Sequence, residues 1–273
     1  MEWVLLNFIS AKHAQLLQKN QLDTFENVWD FPIQWIDAPN KNRGGWSAVG
    51  RLEIQNNGKP NLFFVKKQLN HTTRTLRHPL NGVPTFAKEF AGIQLLKQRG
   101  LNVPEVAYFA EQNSAQGQQA ILITESLDGY QPLDVFDRST LSLRQQRQLI
   151  SSVAKTIRQM HGAGVVHRAL YAKHIFVKPN NIKSSGDAFE VALIDFEKFR
   201  PIYFAPLQAA DDLMTLNYRT SGWTNTNRLY FLKQYLAQPS LNSWGKLFCK
   251  WVIYRSNQKI KQARLSKNGI QHG

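Results

Sequence analysis

Met160-His161-Gly162-Ala163-Gly164-Val165-Val166-His167-Arg168-Ala169-Leu170-Tyr171-Ala172-Lys173-His174-Ile175-Phe176-Val177 is the stretch on which the fold of this 273-residue chain turns. On its N-terminal side, Leu143 to Gly162 reads as a long helix. Leu149, Ile150, Val153, Ala154, Ile157, Met160 and His161 recur there at three- and four-residue spacing, the stripe of an amphipathic helix. On its C-terminal side, Ile175–Val177 and Glu190–Ile194 read as short apolar strands around a turn from Pro179 to Asp187. That hairpin runs into Leu193-Ile194-Asp195-Phe196-Glu197-Lys198, so a carboxylate follows the second strand directly.

Further out, residues 1–40 are expected to be an irregular N-terminal extension, with tryptophans and prolines, packed on a core. Trp46 to Ile54 is strand-like, Asn56-Asn57-Gly58 is a turn signal, and Asn61 to Gln68 reads as a buried strand. Residues 69–84 form a loop rich in His, Arg, Asn and Pro. Thr85 to Arg99 reads as a helix with Phe86, Phe90, Ile93 and Leu96 on one face, closed by Gly100. Ala107–Glu111 and Ala120–Glu125 read as strands, 126–142 as a connector, and the chain beyond the Asp195 hairpin as helical and basic. The expected class is α+β: a small antiparallel sheet lobe with one helix, then a larger, mainly helical lobe. The expected divisions are 1–40, 41–126 and 127–273.

No apolar run reaches the roughly 20 residues of a spanning helix, and the first residues lack the basic and apolar regions of a signal peptide. The single Cys249 excludes a disulfide framework and a thiolate metal cluster. A soluble protein of a reducing compartment is expected. The formal charge is +15, and after Asp212 no acidic residue occurs. Arg219, Arg228, Lys233, Lys246, Lys250, Arg255, Lys259, Lys261, Arg264 and Lys267 make that end basic. Such a field favours anionic partners such as phosphates, phosphorylated lipids or nucleic acid, or is simply a solvated face. No aromatic-basic RNA motif or recognition-helix signature accompanies it, so nucleic acid is not expected. Trp244, Leu247, Phe248, Trp251 and Val252 form a stripe that suits either a closing helix or a helix lying on an anionic membrane.

Phosphoryl transfer needs a cover over the phosphates, a cation on them, carboxylates for Mg2+ and a group that orients the acceptor. Candidates occur in that order. Arg43-Gly44-Gly45-Trp46-Ser47 opens the first strand, where glycine lets backbone N–H groups approach phosphate, though hairpins also use glycine. Lys66 ends an apolar strand, either as an exposed strand end or as the cation, and Glu89 one turn into the next helix can hold its ammonium. The basic residues Lys67, His71, Arg74, Arg77 and His78 are a loop that either grips an anionic acceptor or is solvated.

The run from His167 resembles the protein kinases' segment H-R-D-L-x-x-x-N followed by three apolar residues, and Asp195-Phe196-Glu197 resembles their metal-binding D-F-G. Tyr171, His174 and the Asp-Phe-Glu-Lys form are more closely similar to the lipopolysaccharide kinases of the Kdo/WaaP type, InaA-like members among them. So are Gly44-Gly45-Trp46-Ser47, Asn70-His71-Thr72-Thr73-Arg74 and Pro84-Thr85-Phe86-Ala87-Lys88-Glu89-Phe90; the resemblance spans roughly residues 40 to 235. It implies a bilobal protein-kinase-like fold and ATP and Mg2+ as cofactors. It further implies a lipopolysaccharide-core acceptor, and a cytoplasmic site of action with peripheral contact at the inner membrane. Gly44, Gly45 and Ser47 would cover the nucleotide, Lys66 would contact its phosphates, and Glu89 would orient Lys66. Glu125 and Leu127 would meet the adenine, and Asp195 with His174 would hold the metal. Ala169 stands where those kinases carry the catalytic aspartate, so the second reading is a pseudokinase acting as a nucleotide-binding or stress-linked interaction protein.

Overall fold

The structure is a computed structural model that describes residues 6–42, 44–56, 58–74, 78, 80–180, 188–202, 205–220 and 222–269. Two compact units emerge. The first takes Met1–Lys97, Val103–Asp128 and Phe196–Lys198; the second takes Gln98–Asn102, Gly129–Asp195 and Phe199–Gly273.

The first unit contains β1 (Leu6–Ile9), α1 (Ala14–Lys19), α2 (Phe25–Asp30), β2 (Gln34–Trp35), β3 (Trp46–Asn56) and β4 (Lys59–Leu69). β5 (Thr72–Thr73), β6 (Val83–Pro84), α3 (Thr85–Gln98), β7 (Val106–Ser114) and β8 (Gly117–Glu125) follow. Among the described residues one antiparallel sheet runs β1-β7-β8-β4-β3-β2. Gly58, at φ +77°, turns β3 into β4 so that Asn56 pairs with Lys59. Side chains alternate across a strand, which gives this sheet two apolar faces. Phe63, Val65, Tyr108, Ile121 and Ile123 pack with Leu16, Leu17, Leu22, Phe25 and Val28 of the N-terminal helical segment. On the opposite face α3 docks, with Phe90 stacked on Phe109 at 4.4 Å between ring centroids.

Over residues 6–40 the irregular segment expected there is instead built of short regular elements. That segment supplies both edge strands, β1 on β7 and β2 on β3, and the helices α1 and α2 that cover one sheet face. Six-residue helices and strands of two and four residues are shorter than the window over which periodicity shows.

The second unit contains β9 (Gln131–Pro132), α4 (Leu143–Gly162), β10 (Val165–Val166), β11 (Ile175–Pro179), β12 (Phe189–Leu193) and β13 (Arg200–Pro201). α5 (Ala205–Arg219), α6 (Asn225–Leu236) and α7 (Ser243–Gly269) complete it. Ser142 and Gln145 form a capping box that starts α4, and its apolar stripe from Leu149 to Met160 is buried. β11 pairs antiparallel with β12 on one side and with β9 on the other. Of the expected turn from Pro179 to Asp187, residues 181–187 lie outside the described residues.

α7 departs from expectation in its rotation. Phe248 and Val252 of the expected stripe are buried, but Trp244 is 50% and Leu247 is 66% exposed. The buried face is completed by Gly245, Cys249 and Ser256 instead. These small residues allow close approach, and Ser256 accepts a hydrogen bond at 2.8 Å from Asn217 of α5. At 3.6 residues per turn the contact face is therefore displaced by roughly a quarter turn from the hydrophobic stripe. No helix among the described residues is long and apolar enough to cross a membrane.

Candidate functional site

Lys66 is set by strand alternation. On β4, Phe63, Val65 and Lys67 point to the N-terminal helices, and Lys66 and Gln68 point to α3. Gln68 is fully buried; its Oε1 accepts from the Phe86 N–H at 2.9 Å and the Thr85 hydroxyl at 2.9 Å, and its Nε2 donates to the His71 carbonyl at 2.7 Å. The start of α3 is thereby pinned to β4. One turn later Glu89 meets Lys66, whose Nζ lies 2.6 and 2.7 Å from the two carboxylate oxygens. The Lys66 side chain is 14% and that of Glu89 3% exposed, so the pair is shielded and short, well beyond the geometry of a surface ion pair. Glu197, also of the first unit, brings a carboxylate oxygen within 4.8 Å of one from Glu89.

In the second unit the loop after α4 is held by its backbone. Asp212 of α5 is 1% exposed and accepts from the His167 N–H at 2.6 Å and the Arg168 N–H at 2.8 Å. His161 places Nε2 3.2 Å from the same carboxylate and Nδ1 2.8 Å from the Tyr235 hydroxyl. His167 donates from Nε2 to the Ile194 carbonyl at 2.9 Å, tying the loop to the strand end that precedes Asp195. Arg168 and Asp195 both sit at φ +66°, a left-handed conformation that persists in non-glycine residues where the surroundings enforce it. Asp212 was not singled out by sequence reasoning beyond marking the last acidic residue. The available signal was a carboxylate among Ala209, Ala210, Leu213 and Met214, a polar group on a buried helix face.

His174 is brought against Asp195. A carbonyl can only accept, so the 2.9 Å contact between His174 Nδ1 and the Ala169 carbonyl places the proton on Nδ1. Nε2 then faces the Asp195 carboxylate at 3.1 Å. Burial lowers the His174 pKa, outweighing the carboxylate, which raises it. A neutral imidazole thus directs a lone pair toward carboxylate oxygens, a donor set that fits a cation. For Mg2+ the oxygens are the natural ligands and the imidazole the less usual one.

Gly44 has φ +81°, and nothing lies within 4 Å of where its Cβ would be. A Cβ on Gly45 would lie 2.0 Å from the Leu69 carbonyl oxygen, so close strand approach accounts for that glycine. Ser47 exchanges backbone hydrogen bonds with Asn40 at 3.0 and 2.8 Å. Glu125 ends β8 with its carboxylate 2.5 Å from Lys12 and 3.3 Å from His13 Nε2, and Leu127 lies two residues beyond. The basic loop is not one surface. Lys67 is buried and donates to the Trp29 and Phe31 carbonyls at 2.8 and 2.9 Å, His71 is buried against Thr85, and Arg74 and His78 are exposed. Arg77 lies outside the described residues.

A sheet unit carrying a strand lysine clasped by a helix glutamate, and a helical unit carrying a backbone-anchored loop beside an aspartate, define a protein-kinase-like fold. The profile of the lipopolysaccharide kinase (Kdo/WaaP) family matches residues 26–235, and the chain belongs to that family. It is 31% identical over 183 residues to Protein InaA of Escherichia coli (strain K12), covering 65% of this chain and 79% of that protein. It is 28% identical over 204 residues to the lipopolysaccharide core heptose(I) kinase WaaP of Pseudomonas aeruginosa, covering 69% and 73%. Among solved structures, WaaP in complex with acyl carrier protein superposes with a TM-score of 0.64 at 22% identity, over 94% of this chain and 99% of that one. That likeness establishes the fold.

Proposed function

We propose that this chain is an ATP-dependent phosphotransferase that moves the γ-phosphate to a sugar hydroxyl of a lipopolysaccharide core. The observation that carries the reading is the shielded Lys66–Glu89 pair. An ammonium held at fixed position by two carboxylate oxygens is pre-organised for nucleotide phosphates, and phosphoryl transfer depends chiefly on positioning and charge neutralisation. In this reading Gly44, Gly45 and Ser47 lie over the nucleotide and Lys66 contacts its phosphates. The segment of Glu125 and Leu127 meets the adenine, and Asp195 with His174 holds Mg2+. When bound, Mg2+ supplies positive charge to the transferring phosphoryl group. The acceptor is an anionic glycolipid, so the site of action is the cytoplasmic face of the inner membrane, reached by peripheral contact.

Ala169 favours a second reading, a pseudokinase that binds nucleotide without transferring phosphate. A methyl group neither accepts a proton nor orients a hydroxyl, and loss of a general base costs about 10²–10⁴ in rate. The test is transfer of labelled phosphate from ATP to heptose-containing core oligosaccharide, with Lys66→Met as control. Transfer that the control abolishes supports the enzyme. Mg-ATP raising the melting temperature without any transfer supports the pseudokinase, and the absence of both effects removes both readings.

A further inference from the structure

The outward face of α7 carries side chains that nothing in the nucleotide site uses. Trp244, Leu247, Trp251 and Tyr254 follow one another at spacings of three, four and three, so they form a single column along the helix. Trp244 is 50%, Leu247 66% and Tyr254 59% exposed, with Trp251 half-buried. The column is fixed rather than loose. The Trp244 ring stacks on buried Phe248 at 5.3 Å, and Trp251 meets the same ring at 6.4 Å. Beside it run Lys246, Lys250 and Lys261, all exposed, with Lys250 and Lys261 three turns apart on one edge. The other edge holds Arg255, which is 3.3 Å from Asp211. The sequence from Leu213 onward contains no acidic residue.

We infer that this face of α7 docks on an anionic lipid bilayer, with the Trp244–Leu247–Trp251–Tyr254 column entering the headgroup–acyl boundary and Lys246, Lys250 and Lys261 meeting lipid phosphates. Amphipathic tryptophan and tyrosine belong at that boundary, with one end apolar and the other wet. A helix lying in the interface buries its apolar face there, and basic residues beside it add attraction to anionic headgroups. Charge complementarity selects the occupant: a second copy would oppose two columns of lysine, whereas an anionic surface neutralises them. The inference rests on the peripheral membrane location proposed above and names the surface responsible. Its test needs neither nucleotide nor acceptor, so its failure leaves the phosphotransferase reading standing.

The experiment is flotation of the full chain with phosphatidylethanolamine vesicles with and without phosphatidylglycerol, read together with tryptophan emission. Binding that requires phosphatidylglycerol, falls with salt and shifts emission to the blue is expected. Each lysine near an anionic surface is worth about fivefold in partitioning, so K246Q/K250Q/K261Q lowers it by on the order of a hundredfold. L247N/Y254N lowers it by about tenfold and removes part of the blue shift. All five positions are exposed, and an unchanged melting temperature verifies folding. Equal binding with and without phosphatidylglycerol overturns the inference. So does loss on the lysine variant with none on the apolar one, which leaves only diffuse attraction. A dimer that dissociates in L247N/Y254N, with no vesicle binding, assigns the face to a second copy instead.

Discussion

Asp212 offers the sharpest test of how the loop is held. Asp212→Ala removes the shared acceptor of the His167 and Arg168 N–H groups and the partner of His161 Nε2, at a site 1% exposed where water does not substitute. Hydrogen bonds to a charged group contribute about 1.5–3 kcal/mol each. Two backbone bonds lost together, with the His167 donor left buried, give a cost of about 4 kcal/mol after allowance for non-additivity. Asp212→Asn retains one acceptor oxygen but turns an amide N–H₂ toward the second donor, for a cost of about 2 kcal/mol. Hydrogen exchange resolves the effect locally: the His167 and Arg168 amides are protected in the parent and exchange faster in the order Asn then Ala. Because His167 also donates to the Ile194 carbonyl beside Asp195, the alanine variant also loses the melting-temperature rise on adding Mg-ATP. If Asp212→Ala costs under about 1 kcal/mol and leaves exchange at 167 and 168 unchanged, the carboxylate is not the anchor.

Gln68→Leu leaves the Phe86 N–H and the His71 carbonyl without their buried partner, destabilising the first unit by about 2–4 kcal/mol and weakening nucleotide binding; denaturant melts and titration with Mg-ATP check both. Lys67 supplies a pH test. Burial pushes its pKa down to about 8 from 10.5, so between those values the unfolded chain binds the extra proton. Stability relative to Lys67→Met therefore rises with pH across that window, by up to about 3 kcal/mol, and a flat difference between pH 8 and 10.5 refutes the assignment. Ala169→Asp raises phosphate transfer by about 10²–10⁴ if only the base is missing, measured with labelled ATP.

What was legible follows from length and position. The β3–β4 hairpin, α3 and α4 are long enough to display their period, and each appears within a few residues of expectation. The Lys66–Glu89 pair was legible because strand alternation and one helical turn define its geometry. The N-terminal elements were not, because they are short and gain stability from the sheet they cover. Lys67 read as surface because a lysine carries no mark of burial; two backbone carbonyls at the end of α2 draw it inward. The rotation of α7 was hidden because Gly245 and Ser256 lack the hydrophobicity that periodicity detects and the small Cys249 is outweighed by Trp244, Leu247 and Trp251, though the small residues set the contact.

The anchoring of the loop also explains why Ala169 is compatible with the fold. Asp212 binds the N–H groups of His167 and Arg168, and His167 binds the Ile194 carbonyl; none of these bonds involves the side chain at 169. Residue 169 contributes its carbonyl, which accepts from the Tyr171 N–H at 2.8 Å and from His174 Nδ1 at 2.9 Å. Through the second bond it sets the imidazole tautomer and aims Nε2 at Asp195. Alanine at 169 therefore lacks one chemical group while the hydrogen bonds that hold the loop and His174 are kept. On the proposed reading, nucleotide binding and phosphate transfer are then separable, since the Lys66–Glu89 contact involves no atom of residue 169. A variant with a carboxylate at 169 then measures, on that reading, how much phosphoryl-transfer chemistry the rest of the site supports.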